Sequence, residues 1–336
     1  MNRKLETVVT VIVMSALFCR VGWAQSPPAN ILQVDIENWV QYIEDTSDPS
    51  KFATNPNATP AAAVKNFASG VAIADIVAVN GQAVKGTMTR TSKYFFMNAA
   101  PAAGQAIADT ARSAVTVDTF EILKTDGTPI GTIIISGVAP GAPAPGAPLA
   151  VTQGNFTIIG GTGAFLGVRG QNGQAVSADT VPIRSASVTE DPANRRKNSG
   201  GKARWVMHLL AAERPEVMTT AKGPAVTHSS DFTPVTASKP AAAGEVLSLF
   251  MTGLGPTKPG VDPGNPFPAN PVAVVNSPVA VSVNGESAEV LGAVGYPGAV
   301  DGYQLNFRMP SDVRGTATIQ VSAAWISGSA VQIAVQ

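Results

Sequence analysis

The chain has 336 residues, a length that favours about two domains. Hydrophobic residues make up 45% of it, charged residues only 14%, and the formal net charge is zero. This charge balance gives no electrostatic attraction to nucleic acid or to an acidic membrane surface. The 32 glycines and 26 prolines favour short strands and many turns over long helices.

The first 24 residues have the pattern of a signal peptide. A positive end and an apolar core over residues 8–18, too short for a stable membrane helix, precede a small-residue cleavage site ending at Ala24. The only cysteine, Cys19, lies within this segment, so cleavage leaves no thiol, no disulfide and no cysteine metal site. We therefore expect a secreted protein (extracellular, cell-surface or periplasmic) with no further membrane span.

Strand and turn signals recur along the next part of the chain. Residues 31–45 predict a first strand or a short helix, and their scattered acidic residues lack the D-x-D-x-D-G order of a calcium loop. Two hairpins are predicted, one turning at Asn80-Gly81 and one at Asp126-Gly127, because these dipeptides tolerate the positive φ of a tight turn. Residues 204–211 return as a closing strand. This recurrence is typical of an antiparallel barrel or sandwich.

Residues 155–170, with the sequence N-F-T-I-I-G-G-T-G-A-F-L-G-V-R-G, join an apolar strand to a glycine cluster. A dinucleotide-binding loop is one interpretation, but the third glycine arrives at Gly167 instead of position 166. Further glycines at 170 and 173 oppose the helix that such a loop must open. No Lys-Ser or Lys-Thr follows, so a P-loop is excluded. The stretch predicts a strand, a tight glycine turn and a second strand.

The same stretch resembles the I-x-G-G-T-G-x-F-x-x-x-R-G turn of the dirigent and allene oxide cyclase families. The turn residues that match are Gly160, Gly161, Thr162, Gly163, Phe165 and Gly170, together with Arg169. The resemblance implies an eight-stranded antiparallel barrel, here over residues 30–212, that holds a small apolar ligand. Dirigent barrels steer the coupling of phenoxy radicals without oxidising them. Many carry an acidic residue after G-G-T-G, where this chain has Ala164, and this departure weighs against dirigent chemistry.

The C-terminal third of the chain predicts a second β module. Residues 213–240 are rich in Pro, Thr, Ala and Ser without periodicity, which we interpret as a linker. Residues 241–336 return to short strands, with a turn at Asn284-Gly285. They resemble, over essentially their whole length, the acidobacterial (Solibacter-type) C-terminal domain, which is itself similar to IPT/TIG immunoglobulin-like sandwiches. The resemblance implies an Ig-like β-sandwich without established chemistry, and the predicted fold class is all-β throughout.

Candidate pocket residues are charged side chains on apolar strand faces. Asp75 interrupts the apolar face of residues 71–79, and Asp118 shares its face with apolar residues. A buried carboxylate needs a partner, and arginine is the natural one. We predict that an Asp75–Arg169 or an Asp118–Arg112 pair lines a pocket with an acid of shifted pKa. The alternative is an outward-facing aspartate or a structural ion pair. Arg169 is the first candidate, because the family motif and the strand alternation both support it.

The sequence offers no catalytic constellation. His208 and His228 are its two histidines, with no G-x-S-x-G elbow, and two histidines do not make a zinc site. We predict no catalytic residue, metal or cofactor. Three functions remain open. The first is a secreted non-catalytic binding module, whose barrel holds a small apolar or phenolic ligand while the sandwich is a spacer or attaches to a cell-surface partner. The second is a dirigent-like or cyclase-like isomerase, and the third a pocketless cell-surface structural or interaction protein.

Overall fold

The computed structural model describes residues 30–44, 67–95, 114–139, 151–175, 179–186, 190–191 and 193–336. The predicted signal peptide over residues 1–24, with Cys19, lies outside the described residues, as does Arg112. Within the described residues the chain is nearly all β, as predicted, and forms a closed barrel followed by further sheets.

The barrel consists of eight antiparallel strands in the order β1-β2-β4-β5-β6-β7-β8-β10, closed by pairing of β10 with β1. A short strand, β3, extends the hairpin after β2, and β9 pairs in parallel with the end of β1. The strands are β1 (Asn30–Glu44), β2 (Phe67–Val79), β3 (Gln82–Ala83), β4 (Lys85–Phe95), β5 (Ala114–Leu123), β6 (Pro129–Ala139), β7 (Val151–Gly163), β8 (Arg169–Ala175), β9 (Arg184–Ala186) and β10 (Gly201–Leu210), with a short helix α1 (Asn194–Lys197) before β10.

Tight turns set the register at one end of the barrel. Asn80 and Gly81 both have positive φ, as the predicted turn requires, and Gly127 has φ 86° in the β5–β6 turn. The β7–β8 turn lies at the same end, whereas the longer connections after β1, β4, β6 and β8 all lie at the opposite end. We call these the tight-turn end and the long-connection end.

The glycine motif forms the predicted strand, turn and strand, and two of its glycines are required by close approach of the backbone. A Cβ on Gly161 would lie 2.4 Å from the carbonyl oxygen of Phe165, and one on Gly170 would lie 1.8 Å from that of His208. Phe165 is fully buried and closes the interior at the tight-turn end. The motif therefore allows β7, β8 and β10 to pack closely around the buried ring of Phe165.

The barrel interior is apolar towards the tight-turn end and polar towards the long-connection end. Along β5 the inward side chains change from Ile122 and Phe120 to Asp118 and Thr116. Along β4 they change from Met88 to Arg90 and then Ser92, and on β8 Asn172 and Gln174 face inwards towards the same end. Eight strands enclose a space that side chains can fill or that one small ligand can occupy. Whether side chains fill the barrel or leave room for a ligand is therefore decided at its polar end.

The second unit contains two larger sheets that pack in a sandwich-like arrangement around their own apolar core. One sheet has the order β11-β15-β21-β20-β17-β16 with β14 also on β15, the other has β19-β18-β22-β23 with β24 on β22, and β12 pairs with β13. The strands are β11 (Glu216–Val217), β12 (Thr219–Thr220), β13 (Gly223–Pro224), β14 (Val226–His228), β15 (Val246–Thr252), β16 (Thr257–Lys258), β17 (Val274–Val275), β18 (Val279–Val283), β19 (Glu286–Ala288), β20 (Val290–Gly295), β21 (Tyr303–Arg308), β22 (Gly315–Ala323), β23 (Ile326–Ser327) and β24 (Val331–Val335).

The interpretation of residues 213–240 as a linker is wrong. β11 and β14 from this segment both pair with β15, and Val226 and Val235 are buried in the core of the second unit. The segment has no regular alternation because its strands are only two or three residues long. The second unit therefore begins before residue 241.

The second unit packs against the tight-turn end of the barrel. Ala324, in the turn between β22 and β23, and Ile326, the first residue of β23, are buried in the same apolar cluster as the barrel interior. Trp325 Nε1 donates to Gln82 Oε1 at 2.8 Å, and the amide of Ser327 donates to Asn30 Oδ1 at 2.9 Å. This end of the barrel is therefore covered.

Candidate functional site

A buried ion pair occupies the polar end of the barrel interior. Arg90 Nε and Nη2 donate to Asp118 Oδ1 and Oδ2, each at 2.7 Å, which is the bidentate geometry of a strong arginine–carboxylate pair. Asp118 is fully buried, and 13% of the Arg90 side chain is exposed. The two residues are direct neighbours across β4 and β5, so the sheet register brings them together. Asp118 is thus paired with Arg90, and its predicted partner Arg112 lies outside the described residues.

Three aromatic rings surround the Arg90 guanidinium. Its Cζ lies 5.6 Å from the ring centroid of Trp39, 5.4 Å from that of Phe156 and 5.2 Å from that of Trp205. Trp205 also makes edge contacts with Trp39 and Phe156, at centroid distances of 6.1 and 6.0 Å. Cation–π attraction is strong when the cation is removed from water, so these rings hold the guanidinium in place.

Several buried polar groups at this end have no hydrogen-bond partner. They are the indole Nε1 atoms of Trp39 and Trp205, the Thr116 hydroxyl, and both the oxygen and the nitrogen of the Asn172 amide. Each of these side chains is at least nine-tenths buried. Leaving a buried donor or acceptor unpaired costs about 1–3 kcal/mol, so such groups require an explanation. We call this set, with Arg90 and Asp118, the polar pocket.

Asp75 faces outwards, contrary to its predicted place in a pocket. Ala72, Ala74 and Ile76 are the inward residues of β2, whereas Asp75 lies on the other face. Its carboxylate accepts hydrogen bonds from Arg195 at 2.6 Å, from Arg196 at 2.9 Å and from Asn38 at 2.9 Å. Burial alone would raise its pKa, but the bonds from Arg196, Arg195 and Asn38 outweigh it and lower the pKa of Asp75 to about 2. The cluster joins α1 to β1 and β2, and its role is structural.

Arg169 is not part of a pocket, and the prediction of an Asp75–Arg169 pair is wrong. Its side chain is exposed and donates from Nη1 to the backbone carbonyls of Ile159 and Val168. These hydrogen bonds connect the end of β7 to the start of β8. In β8, Asn172 and Gln174 are buried inside the barrel, whereas Arg169 is exposed outside it.

Neither histidine is placed as a catalytic base. His208 lies on the outer face of β10 opposite Gln171 and is half-buried. His228 is buried in the second unit, where Nδ1 lies 2.6 Å from Glu245 Oε1 and Nε2 lies 3.4 Å from the carbonyl oxygen of Lys239. Within the described ranges no three His, Cys, Asp or Glu side chains are grouped so that they could hold a metal ion.

A groove of about 400 Å³ lies outside the barrel at the long-connection end. Val71, Val115 and Val117 line it on the outer face of β2 and β5, each more than 40% exposed. Ser92 and Thr116, whose side chains face inwards, also border it. Apolar surface therefore adjoins the polar pocket at the end that the second unit leaves uncovered.

Sequence reasoning found Asp118 but missed most of the polar pocket. Trp39 and Trp205 are on strands that were predicted, and nothing in a single sequence shows that their indole nitrogens are unpaired. Thr116 lies between Val115 and Val117, so hydrophobicity alone would place the valines inside. Asn172 and Gln174 lie in a polar, glycine-containing strand without apolar alternation, so the pattern does not identify them as interior. The Arg90–Asp118 pair depends on the register of β4 and β5, which the long connection between these strands, residues 96–113, does not fix from sequence.

Comparison with known proteins adds no identification. No protein-family model matches the chain, and neither the curated proteins nor the solved structures contain a match. Among the described residues no helix has the length and apolar character needed to cross a membrane.

Proposed function

We propose that the protein is a non-catalytic binding protein whose barrel holds one small, largely apolar or phenolic molecule at the polar pocket. The observation that carries this proposal is the set of unpaired buried groups on Trp39, Thr116, Asn172 and Trp205 beside aromatic rings. Small-ligand sites are mostly apolar and aromatic, with a few convergent polar groups that fix orientation. The polar pocket has this composition.

The geometry favours binding over catalysis. A general acid or base must be able to exchange a proton with the ligand. Both oxygens of Asp118 accept from Arg90, and Asp75 is on the outer face with its pKa lowered to about 2 by hydrogen bonds that overcome its burial. No other carboxylate or histidine among the described residues is buried within the barrel. Among the described interior residues, the isomerase alternative therefore finds no carboxylate or histidine available to move a proton.

The remaining parts of the proposal come from the sequence. The glycine motif supports a dirigent-like or allene-oxide-cyclase-like barrel, and residues 241–336 support an Ig-like sandwich. The N-terminal pattern supports export through a signal peptide cleaved near Ala24. The contact of Ala324 and Ile326 with the barrel core gives the second unit a further role as a cover for the tight-turn end, beside any attachment to a cell-surface partner.

Nuclear magnetic resonance of the indole N–H groups tests the proposal. We expect phenol and anisole, titrated in the millimolar range, to shift the indole signals of Trp39 and Trp205. The signal of Trp325 is the internal control, because its Nε1 is bonded to Gln82 at the opposite end of the barrel. Assignment uses single Trp→Phe variants.

Two variants make the test specific. Asn172→Leu removes an unpaired interior amide and should weaken probe binding, whereas Thr157→Val changes an exposed residue on the neighbouring strand β7 and should not. The absence of any shift at Trp39 and Trp205, or equal shifts at all three indoles, would show that the polar pocket holds only water or is closed.

A further inference from the structure

The unpaired groups of the polar pocket are mainly hydrogen-bond donors. Each indole contributes one N–H and no acceptor, and the Asn172 amide and the Thr116 hydroxyl can each donate as well. The strongest acceptor of the region, the Asp118 carboxylate, is already engaged by two bonds from Arg90. The unpaired donors therefore favour a ligand that accepts hydrogen bonds.

The polar pocket contains an ion pair whose charges offset each other. Arg90 and Asp118, both facing the barrel interior, form this pair. An anionic ligand would bring a further charge into this enclosed space, and burial of an unpaired charge is strongly unfavourable. A neutral acceptor such as a carbonyl or ether oxygen satisfies the donors without that cost.

The walls of the polar pocket favour a planar ligand. Trp205 contacts Trp39 and Phe156 edge to face beside Arg90, with interplanar angles of 69° and 85°. Aromatic rings attract one another in such offset and edge arrangements, which favours a flat ring as ligand.

We infer that the ligand is a neutral, planar molecule with a carbonyl or comparable hydrogen-bond acceptor, recognised by the indole N–H groups of Trp39 and Trp205 together with Thr116 and Asn172. This inference rests on the proposed binding function and goes beyond it, since it excludes carboxylates and purely apolar ligands as the preferred class.

Three probes of matched shape test the class of ligand. Acetophenone is neutral with an acceptor, benzoate is anionic with acceptors, and ethylbenzene has no acceptor. Dissociation constants are measured on the full chain from the Trp39 and Trp205 indole signals at pH 7. We expect acetophenone to bind about five-fold or more tightly than either of the other two, which corresponds to one net hydrogen bond.

Each outcome has a distinct meaning. Equal binding of acetophenone and ethylbenzene, or tighter binding of benzoate, would overturn the inference while leaving a small-ligand site in place. If none of the three probes binds, both the inference and the proposed function are contradicted.

Variants then locate the donors. Thr116→Val keeps the shape of the side chain and removes its hydroxyl, so it should reduce the advantage of acetophenone over ethylbenzene and leave ethylbenzene binding unchanged. The same result is expected for Asn172→Leu, and Thr116→Val serves alone if that variant does not fold. Thr157→Val, on the outer face of β7, should keep the full advantage. An unchanged advantage in Thr116→Val and Asn172→Leu would remove these two residues from ligand recognition.

Discussion

Acidic side chains on the barrel strands lie either inside or outside the barrel, and the sequence alone does not show which. Asp75 and Asp118 both interrupt apolar strand faces, yet Asp118 is inside the barrel with Arg90 and Asp75 is outside with Arg195 and Arg196. Both faces of β2 are apolar, because the inward positions are mainly alanine and the outward ones mainly valine and isoleucine. Hydrophobic alternation therefore could not decide which face of β2 is inside.

Replacement of Asp118 by asparagine should destabilise the barrel strongly. The substitution would remove the bidentate carboxylate partner of the Arg90 guanidinium in an enclosed site, and removal of one partner of a buried pair costs about 3–5 kcal/mol. Urea unfolding of Asp118→Asn measures the change. Asp35→Asn is the matched control, because its partner Arg204 is 44% exposed and such pairs contribute about 1 kcal/mol or less. Similar losses in the two variants would argue that Arg90 is solvated.

The outer Asp75 cluster predicts a defined pH dependence. Its hydrogen bonds, which outweigh its burial, lower the pKa of Asp75 in the folded state to about 2, below the value of about 3.9 expected for an unfolded chain. The carboxylate therefore stabilises the fold above about pH 4, and this contribution is lost as the pH falls towards about 2.

The measurement is the difference in unfolding free energy between wild type and Asp75→Asn. We expect about 1 kcal/mol at pH 7, less than the full linkage value because Arg196 is mostly exposed and water screens its charge. The difference should shrink towards zero at pH 2. Glu286→Gln, at an exposed carboxylate of the second unit, controls for the general effect of removing a charge. A difference that stays constant between pH 7 and pH 2 would contradict the ion-pair account.

At the scale of elements, local turn chemistry was read correctly from sequence. Asn80-Gly81, Asp126-Gly127 and Asn284-Gly285 all form turns between paired strands, because each supplies positive φ where the chain reverses. β10 closes the barrel as predicted. Short strands were missed in residues 213–240, since a strand of two or three residues is defined by its neighbour and leaves no periodic pattern.

Within the glycine motif, we expect the stability of the fold to depend most strongly on Gly170. Gly170→Ala would place a Cβ 1.8 Å from the carbonyl oxygen of His208, at φ 148°, where β8 pairs with β10. Because Cβ is fixed to the backbone of β8 and the oxygen belongs to the backbone of β10, the strands must separate, and we expect a loss of stability of about 2–4 kcal/mol.

Gly292 provides a matched control for this substitution. It is also a strand glycine, but an added Cβ would have no atom within 4 Å, so Gly292→Ala should leave stability nearly unchanged. Thermal unfolding followed by circular dichroism compares the two variants. Equal melting temperatures for Gly170→Ala and wild type would show that β8 can move away from β10 without loss.

At the scale of the whole molecule, the second unit and the barrel share an apolar contact at the tight-turn end. Ile326 of the second unit is 2% exposed in the cluster that fills the barrel. The sequence could not show this contact, because a residue in one module carries no signal of its partner in another.

Ile326→Ala should destabilise the barrel as well as the second unit. The cavity left by the truncated side chain is expected to cost about 2–4 kcal/mol. The indole signals of Trp39 and Trp205 report barrel unfolding on heating, and they should disappear at a lower temperature than in wild type. Val274→Ala, at an exposed position of the second unit, is the control. Barrel signals unaffected by Ile326→Ala would indicate two independent units.

The central claim is that the polar pocket holds a small molecule, and native mass spectrometry of the protein purified gently from its own source tests it most directly. We predict a bound neutral species of a few hundred daltons in wild type that is lost in the Thr116→Val/Asn172→Leu double variant. An unliganded mass for both proteins, together with no response of Trp39 and Trp205 to the aromatic probes, would contradict the claim and indicate a structural surface protein.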